Sequence, residues 1–452
     1  MKPDGGLRDH QGMRVAIVGA GPTGLFLSLA LARRGHDVVV VDRDTGPEPD
    51  GQWRRAGVMQ FHHPHAFRSQ VVEALQAEAP EVLDALLAAG AERAVLPDQP
   101  ERVLGLRCRR MTFERALRMA VVAEPGVSVH RGHAEDVLTE HGRAVGLLVD
   151  ERRLDADLVL DASGRAGRLG RGLRAPAEGG DCGIAYVSRQ YVLHEGAEPG
   201  TMQSPIASAA VYPGYLAIVF PHDNGVFSAM IGRSTQDRGL VGLRENAVYE
   251  AAAAAIPLLA EWTDPARSRP FTDVLPGGRL YNSYCGQLDT MGGVPVPGLV
   301  FVGDRVCTTN PAAGRGITTS LLQARRLIEL IDEHGSDHQT TTRAFDAWCT
   351  DAIRPWFEDH VACDTDLTRR WCGGDVDLDR PLPSDLITAV AQVDPSLMRV
   401  IGPYFGMQAL PSSLRAIEPR AREIYATGWR LPVPEGPDRA GLVALVDGLA
   451  AA

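Results

Sequence analysis

Lysine is nearly absent from this chain. Of 46 basic residues only Lys2 is a lysine, an arginine bias that reads as the mark of a GC-rich genome and leaves lysine chemistry no residue beyond position 2. Cysteine is sparse too: the seven thiols at Cys108, Cys182, Cys285, Cys307, Cys349, Cys363 and Cys372 are odd in number and include no C-x-x-C pair. Neither a disulfide framework nor a zinc site fits that spacing, and a reducing cytoplasm does. Positive charge is in deficit, with a formal net charge of −11 and no polybasic run. That argues against nucleic acid or an anionic membrane surface as a partner. No apolar run approaches the roughly 18 residues that a membrane span needs. Residues 1–12 are polar, contain glycine and carry no signal-peptide pattern, and Met13 could equally initiate the chain. A soluble, cytoplasmic protein is the expectation.

What is present is ordinary globular material, 44% hydrophobic and 23% charged over 452 residues, enough for two or three domains. Met13–Gly19 and Asp37–Asp42 read as buried strands around an Ala/Leu-rich helix, Leu25–Arg34, which is the texture of a parallel β-α-β unit. Val71–Gly90 is helical with Pro80 breaking it, and Thr112–Ala123 is a further helix. Val127–Gly164 reads as a β-meander returning to a buried strand at Asp157–Asp161. From Gly183 to Cys285 the strands alternate and carry aromatics, interrupted by one Ala-rich helix at Glu245–Trp262. Leu299–Asp304 is again a buried strand, followed by a Gly/Pro loop and a helix at Ile317–His334. The last hundred residues are helical pieces broken by Pro and Gly.

Gly19-Ala-Gly21-Pro22-Thr23-Gly24 directly follows a strand and opens a helix. Gly19 permits the tight turn, Gly21 the close approach of a pyrophosphate, and Gly24 the packing of helix on strand. Free N–H groups and the helix dipole then face the phosphates. Asp42 ends the second strand, where a carboxylate accepts adenosine ribose hydroxyls, with Arg43 beside it. This pattern binds a dinucleotide without distinguishing FAD from NAD.

The second segment distinguishes them. Phe301-Val-Gly303-Asp304 and Asn310-Pro311-Ala-Ala-Gly314-Arg-Gly316-Ile317 lie nearly three hundred residues downstream. A nicotinamide dehydrogenase needs no such pairing, whereas the ribityl chain and isoalloxazine of FAD extend well past the first phosphate site. Asp304 suits a ribityl hydroxyl, and the N–H groups of Gly314–Ile317 suit the negative charge of reduced flavin at N1/O2. The fold expected is α/β: a Rossmann-like FAD-binding domain of the glutathione-reductase type at 13–182 and 290–345, an inserted antiparallel-sheet substrate domain at 183–289, and a helical region at 346–452.

These motifs, with Asp157-Leu-Val-Leu-Asp161-Ala-Ser-Gly164-Arg165, resemble those of the FAD-dependent monooxygenases of the para-hydroxybenzoate hydroxylase fold. The Ala-Ser-Gly-Arg ending departs from the Asp-Gly pair of the aromatic hydroxylases and is closer to the polyether epoxidases of the monensin and lasalocid type, and to the flavin halogenases. Arg55-Ala-Gly57-Val58-Met-Gln60, continued by His63 and His65, resembles a stretch of that epoxidase group. The resemblance places Arg55 on the pyrophosphate and Arg110 beside FAD, with Val137 and Gly164 also in the cofactor site.

A monooxygenase of this kind reduces FAD, forms a C4a-hydroperoxide with molecular oxygen and delivers one oxygen atom to a shielded apolar small molecule. It needs no acid–base triad. Tyr186, Tyr191, Tyr212, Tyr215, Phe220 and Phe227 lie on strands expected to wall the substrate pocket. His62, His63 and His65 lack a further metal ligand, so no metal is expected; His63 and His65 are the only candidates for a catalytic part. The Gly164–Gly172 run lacks a Gly-x-Gly start and an acid-ended strand after it. Electrons are therefore expected from transient NAD(P)H or from reduced flavin supplied by a partner reductase. The flavin halogenases use a lysine near the substrate and a Gly-Trp-x-Trp-x-Ile-Pro stretch, and neither is present here. Two other readings share the FAD motifs: a flavin-dependent reductase of a C=C bond, and a flavin-binding redox sensor without turnover.

Overall fold

The computed structural model describes residues 12–48, 53, 55 and 57–450; Lys2, part of the loop after Asp44, and Ala56 lie outside the described residues. Five short strands form a parallel sheet in the order Leu299–Phe301, Leu158–Asp161, Arg14–Val18, Asp37–Asp42, Val127–Arg131. The first four are rich in aliphatic residues and largely buried, as strands covered on both faces must be, while Val127–Arg131 at the edge has no buried residue. Because Val18 pairs with Asp161 and Asp161 with Phe301, the two expected cofactor segments leave the sheet from strands that flank one shared neighbour. The carboxyl ends of these strands form one edge, the place where parallel sheets bind ligands. Helices Pro22–Ala32 and Gly316–His334 leave that edge and pack on each other.

Val127–Arg131 belongs to this sheet, its Arg131 opposite Asp42, and not to the meander. It follows a helix, Arg110–Ala123, and a strand–helix–strand crossover delivers a parallel strand. The meander itself consists of Ala134–Glu140, Arg143–Val149 and Arg152–Asp155. The last of these is charged and mostly exposed, with no apolar pattern to announce it.

The inserted sheet has six strands in its ladder, with Ile184–Leu193 and Val226–Ser234 at its centre. The single helix expected at 245–262 is two, Asn246–Ala255 and Pro257–Thr263, because Pro257 holds Ile256 in an extended conformation (φ −95°, ψ 110°) and starts a new helix. These helices cover one face of the sheet.

The boundary expected at 345/346 falls inside the helix His338–Ala352, whose Phe345 and Cys349 complete the core of the nucleotide-binding unit. Residues 356–425 build a core of their own around Trp356, Ile401, Tyr404 and Tyr425. The final helix, Arg439–Ala450, instead docks on the inserted sheet through Leu442 and Val446. Arg439 pins it there with two bonds to Asp237 (2.7 and 2.8 Å). The C-terminal region is thus divided among four cores, with Leu367 and Trp371 packing against the inner face of the inserted sheet. Among the described residues no helix is long and apolar enough to cross a membrane.

Candidate functional site

A cavity of about 690 Å³ opens at the carboxyl edge of the parallel sheet. It is lined by Gly19, Gly21, Pro22 and Thr23 from the first loop and by Asp42 and Arg43 from the second strand. Arg55 and Arg110 also line it, as do Gly164 and then Asp304, Pro311, Gly314, Gly316 and Ile317 from the distant segment. Three expected cofactor residues stand outside this lining. Gly24 is buried in the first turn of its helix, where an added Cβ would collide with the Gly19 carbonyl; its work is packing. Gly303 adopts φ +69° with its N–H bonded to Gln323, and a Cβ there would come within 3.0 Å of the Thr23 hydroxyl. Glycine at that point lets the two segments close on each other. Val137 packs into the hydrophobic core from the meander and is not brought to the cavity.

The residues present fit FAD. Both helices that begin at the cavity start without a capping side chain and without an acid in the first turn. Their first N–H groups and the positive ends of both dipoles are left for a ligand. Gly21 has an extended backbone (φ −81°, ψ −179°) and nothing within 4 Å of where a Cβ would stand. The room above it is open for a pyrophosphate. Asp304 lines the cavity and is open to it, and among the described residues its carboxylate accepts no hydrogen bond. Burial raises its pKa, opposed by Arg110 and Arg165. An acceptor left free at the cavity wall suits a sugar-alcohol hydroxyl.

Arg55 stands among carboxylates. It lines the cavity, but its guanidinium is bonded to buried Glu114, to Asp42 (3.3 Å) and to the Ala20 carbonyl (3.1 Å), with Asp44 at 3.7 Å. There it neutralises three carboxylates around the first glycine turn. Asp42 in turn accepts the N–H groups of Ala20 (2.6 Å) and Asp44 (2.8 Å), which fixes the turn after the first strand. Arg110 completes the cluster, donating to Glu114 (2.5 Å) and lying 3.4 Å from His65 Nε2.

The two candidate histidines separate. His65 lines the cavity, and its Nδ1 lies 2.9 Å from the His63 carbonyl. A carbonyl only accepts, so Nδ1 carries the proton and Nε2 presents a lone pair toward Arg110. Burial first, then Arg110, hold His65 well below its ordinary pKa, so it is neutral. His63 is buried behind it, bonded to Ser188 (2.8 Å) and edge-on to Tyr186, with its pKa pushed down to about 4 by burial and His62. It does not reach the cavity.

Of the six aromatics expected to wall a substrate pocket, four turn the other way. Tyr191, Tyr212, Tyr215 and Phe227 belong to the core beneath the two short helices, on the far face of the inserted sheet. Side chains alternate along a strand, so Tyr186 and Tyr191, five residues apart, must point to opposite faces. Tyr186 and Phe220 face the nucleotide-binding unit. They pack with Ile184, Leu216, Ile218 and Met230 against Ala66 and Leu280, both of which line the cavity. Sequence reasoning missed Leu280, Tyr281 and Thr308 as cavity residues, since they lie in or beside short strands without a motif. It also passed over Glu114, a lone acid at i+4 from Arg110 on a helix.

Comparison with known proteins bears on the fold and the cofactor. Residues 12–187 match a family model described as an FAD binding domain. The chain is 27% identical to Protein Rv3254 of Mycobacterium tuberculosis, over 87% of this chain and 88% of that one. It is 25% identical to digeranylgeranylglycerophospholipid reductase 1 of Methanopyrus kandleri, over 76% of this chain and 88% of the relative. Among solved structures, the flavin-dependent brominase Bmp2 superposes with a TM-score of 0.65 at 15% identity, covering 92% of this chain and 99% of that one. PqsL from Pseudomonas aeruginosa, described as a probable FAD-dependent monooxygenase, superposes with a TM-score of 0.59 at 16% identity, covering 80% and 99%. At such identities these likenesses establish the fold, that of the flavin-dependent monooxygenases and halogenases. With the matched cofactor domain, they make the chain an FAD-dependent oxidoreductase.

Proposed function

We propose that this oxidoreductase is a monooxygenase that epoxidises or hydroxylates an apolar small molecule, as in natural-product tailoring of the polyether-epoxidase kind. The observation that carries the reading is the make-up of the cavity where the Pro311–Ile317 loop closes it. Pro64, Ala66, Leu280, Pro311 and Ile317 form its walls there, and Ala66 and Leu280 continue into the apolar inner face of the inserted sheet. FAD, when bound, supplies the electron transfer and the activation of oxygen. The chain's own part is to bind and shield. Gly21–Thr23, Asp42 and Asp304 hold the cofactor, and Gly314–Ile317 present N–H groups to its ring. The apolar walls exclude water, and neutral His65 keeps a free charge from that wall.

Electrons come from NAD(P)H visiting the cavity or from reduced flavin delivered by a separate reductase. The Gly-rich run at 164–172 forms successive turns rather than the start of a helix. We therefore expect no resident nicotinamide there. Halogenation through a substrate-side lysine finds no support, since the one lysine is Lys2.

Likeness to the Methanopyrus kandleri reductase over most of both chains favours one other reading, reduction of a C=C bond. One experiment separates them. FAD-loaded, reduced protein is mixed with a panel of apolar alkenes and phenols, with and without ¹⁸O₂. Incorporation of one ¹⁸O atom into a product supports oxygenation. Anaerobic reoxidation of the flavin by an alkene, with a saturated product, replaces it by the reductase reading. Neither result, with any member of a broad panel, leaves a sensor that does not turn over.

A further inference from the structure

The C-terminal helix Arg354–Trp371 buries two carboxylates, and both are spent on the loop that closes the cavity. Asp359, Cys363 and Asp364 recur at helical spacing on its inner side with Trp356 and His360. Asp364 accepts one bond from the Asn282 amide (2.7 Å) and one from the Asn310 amide (3.0 Å). The other end of each amide is already taken: Asn282 Oδ1 accepts the Asn310 N–H (2.7 Å), and Asn310 Oδ1 accepts the Ala312 N–H (3.0 Å). Neither amide can flip without losing a buried backbone bond. The position between them therefore requires a group that accepts on both sides, which a carboxylate does and an amide does not.

Five residues on, Arg315 is gripped by the same helix. It donates to Asp359 (2.6 Å) and to the Tyr404 hydroxyl (2.6 Å), and lies over the rings of Trp356 and Tyr404. From the other side Arg68 ties the Ala313 carbonyl (2.8 Å) to the Phe405 carbonyl (2.5 Å). Burying two carboxylates and two arginines is costly and adds little to net stability. What the arrangement does specify is the path of residues 310–315.

We propose that Asp364 is a positioning residue for the flavin, acting through Asn310 and Asn282, with Asp359 and Arg315 as a second clasp. The C-terminal region holds the Pro311–Ile317 backbone in the shape that meets the isoalloxazine. This rests on the reading of that loop as flavin-contacting and extends it to a part of the chain no cofactor motif reaches.

The test uses full-length Asp364→Asn, nearly isosteric, beside Leu414→Ala, which opens the same C-terminal core and removes none of the clasp's hydrogen bonds. FAD titration into apo-protein should show affinity at least tenfold weaker in Asp364→Asn, with a shifted visible flavin band. Hydrogen exchange of the apo-protein should be faster at residues 310–317 and unchanged in the parallel sheet. Leu414→Ala should leave affinity, band and loop exchange as in the wild type. Equal affinity and equal loop exchange in Asp364→Asn and wild type would overturn the proposal, as would equal effects in both variants. Should the wild type bind no FAD, the flavin reading fails by itself, and the loop exchange still decides whether the clasp exists.

Discussion

Glu114 has no access to solvent, yet it carries a carboxylate between Arg55 and Arg110 beside the cavity. Removing one partner of such a pair leaves an uncompensated buried charge. Arg55→Ala should therefore lower unfolding free energy by about 3–5 kcal/mol and also weaken FAD, because Asp42 and Asp44 lose their counter-ion. Adding Glu114→Gln to that background should restore part of the stability, the signature of a coupled pair. Denaturation and FAD titration of the three variants measure this, and an unaltered Arg55→Ala would remove the cluster from the account. A second expectation concerns His63 and His222, each pushed down to about 4 by burial. The unfolded chain protonates both below about 6.5 while the native state does not. Proton binding to the unfolded form then costs stability as pH falls from about 6.5 to about 4, and no more below that. His63→Gln should flatten the fall across that window; an identical slope would show that His63 is not held neutral.

Two strand–loop–helix elements make the site, and their glycines do different jobs. A Cβ on Gly21 meets no protein atom, so Gly21→Val should fold with near-native stability and fill the space reserved for phosphate. A Cβ on Gly24 runs into the Gly19 backbone, so Gly24→Val should destabilise the helix–strand packing itself. Thermal unfolding with and without FAD distinguishes the two: only the first variant should keep its apo midpoint while losing the shift that FAD confers. These elements were legible in the sequence because their signals are local. A tight turn, a helix start and an acid at a strand end each lie within a few residues of one another. The aromatic strands were not, since alternation says that Tyr186 and Tyr191 oppose each other without saying which of them faces the cofactor unit. Val127–Arg131 was misassigned for a related reason, as strand texture does not reveal whether the partner runs parallel or antiparallel.

At the scale of the whole molecule, the sequence made the pairing of the two cofactor segments visible, but not what holds the second one in place. The Asp364–Asn282–Asn310 network joins three parts of the chain, and each of these residues looks like an ordinary surface polar group in its own neighbourhood. Long-range polar contacts of this sort leave no periodicity. The same holds for the last helix, whose two buried aliphatics, Leu442 and Val446, are four residues apart on any amphipathic helix but find their partner on the inserted sheet.

The central claim is that one FAD is held jointly by the Gly19–Gly24 turn and the Gly303–Ile317 segment. Equilibrium titration of FAD into the wild type, Gly21→Val and Asp304→Ala, followed by flavin absorbance on the separated protein, tests it most directly. The account predicts one FAD per wild-type chain and largely colourless protein for both variants, although their substitutions lie at opposite ends of the cofactor domain. A wild type that refuses flavin, or an Asp304→Ala protein with full yellow occupancy and unchanged affinity, would contradict it.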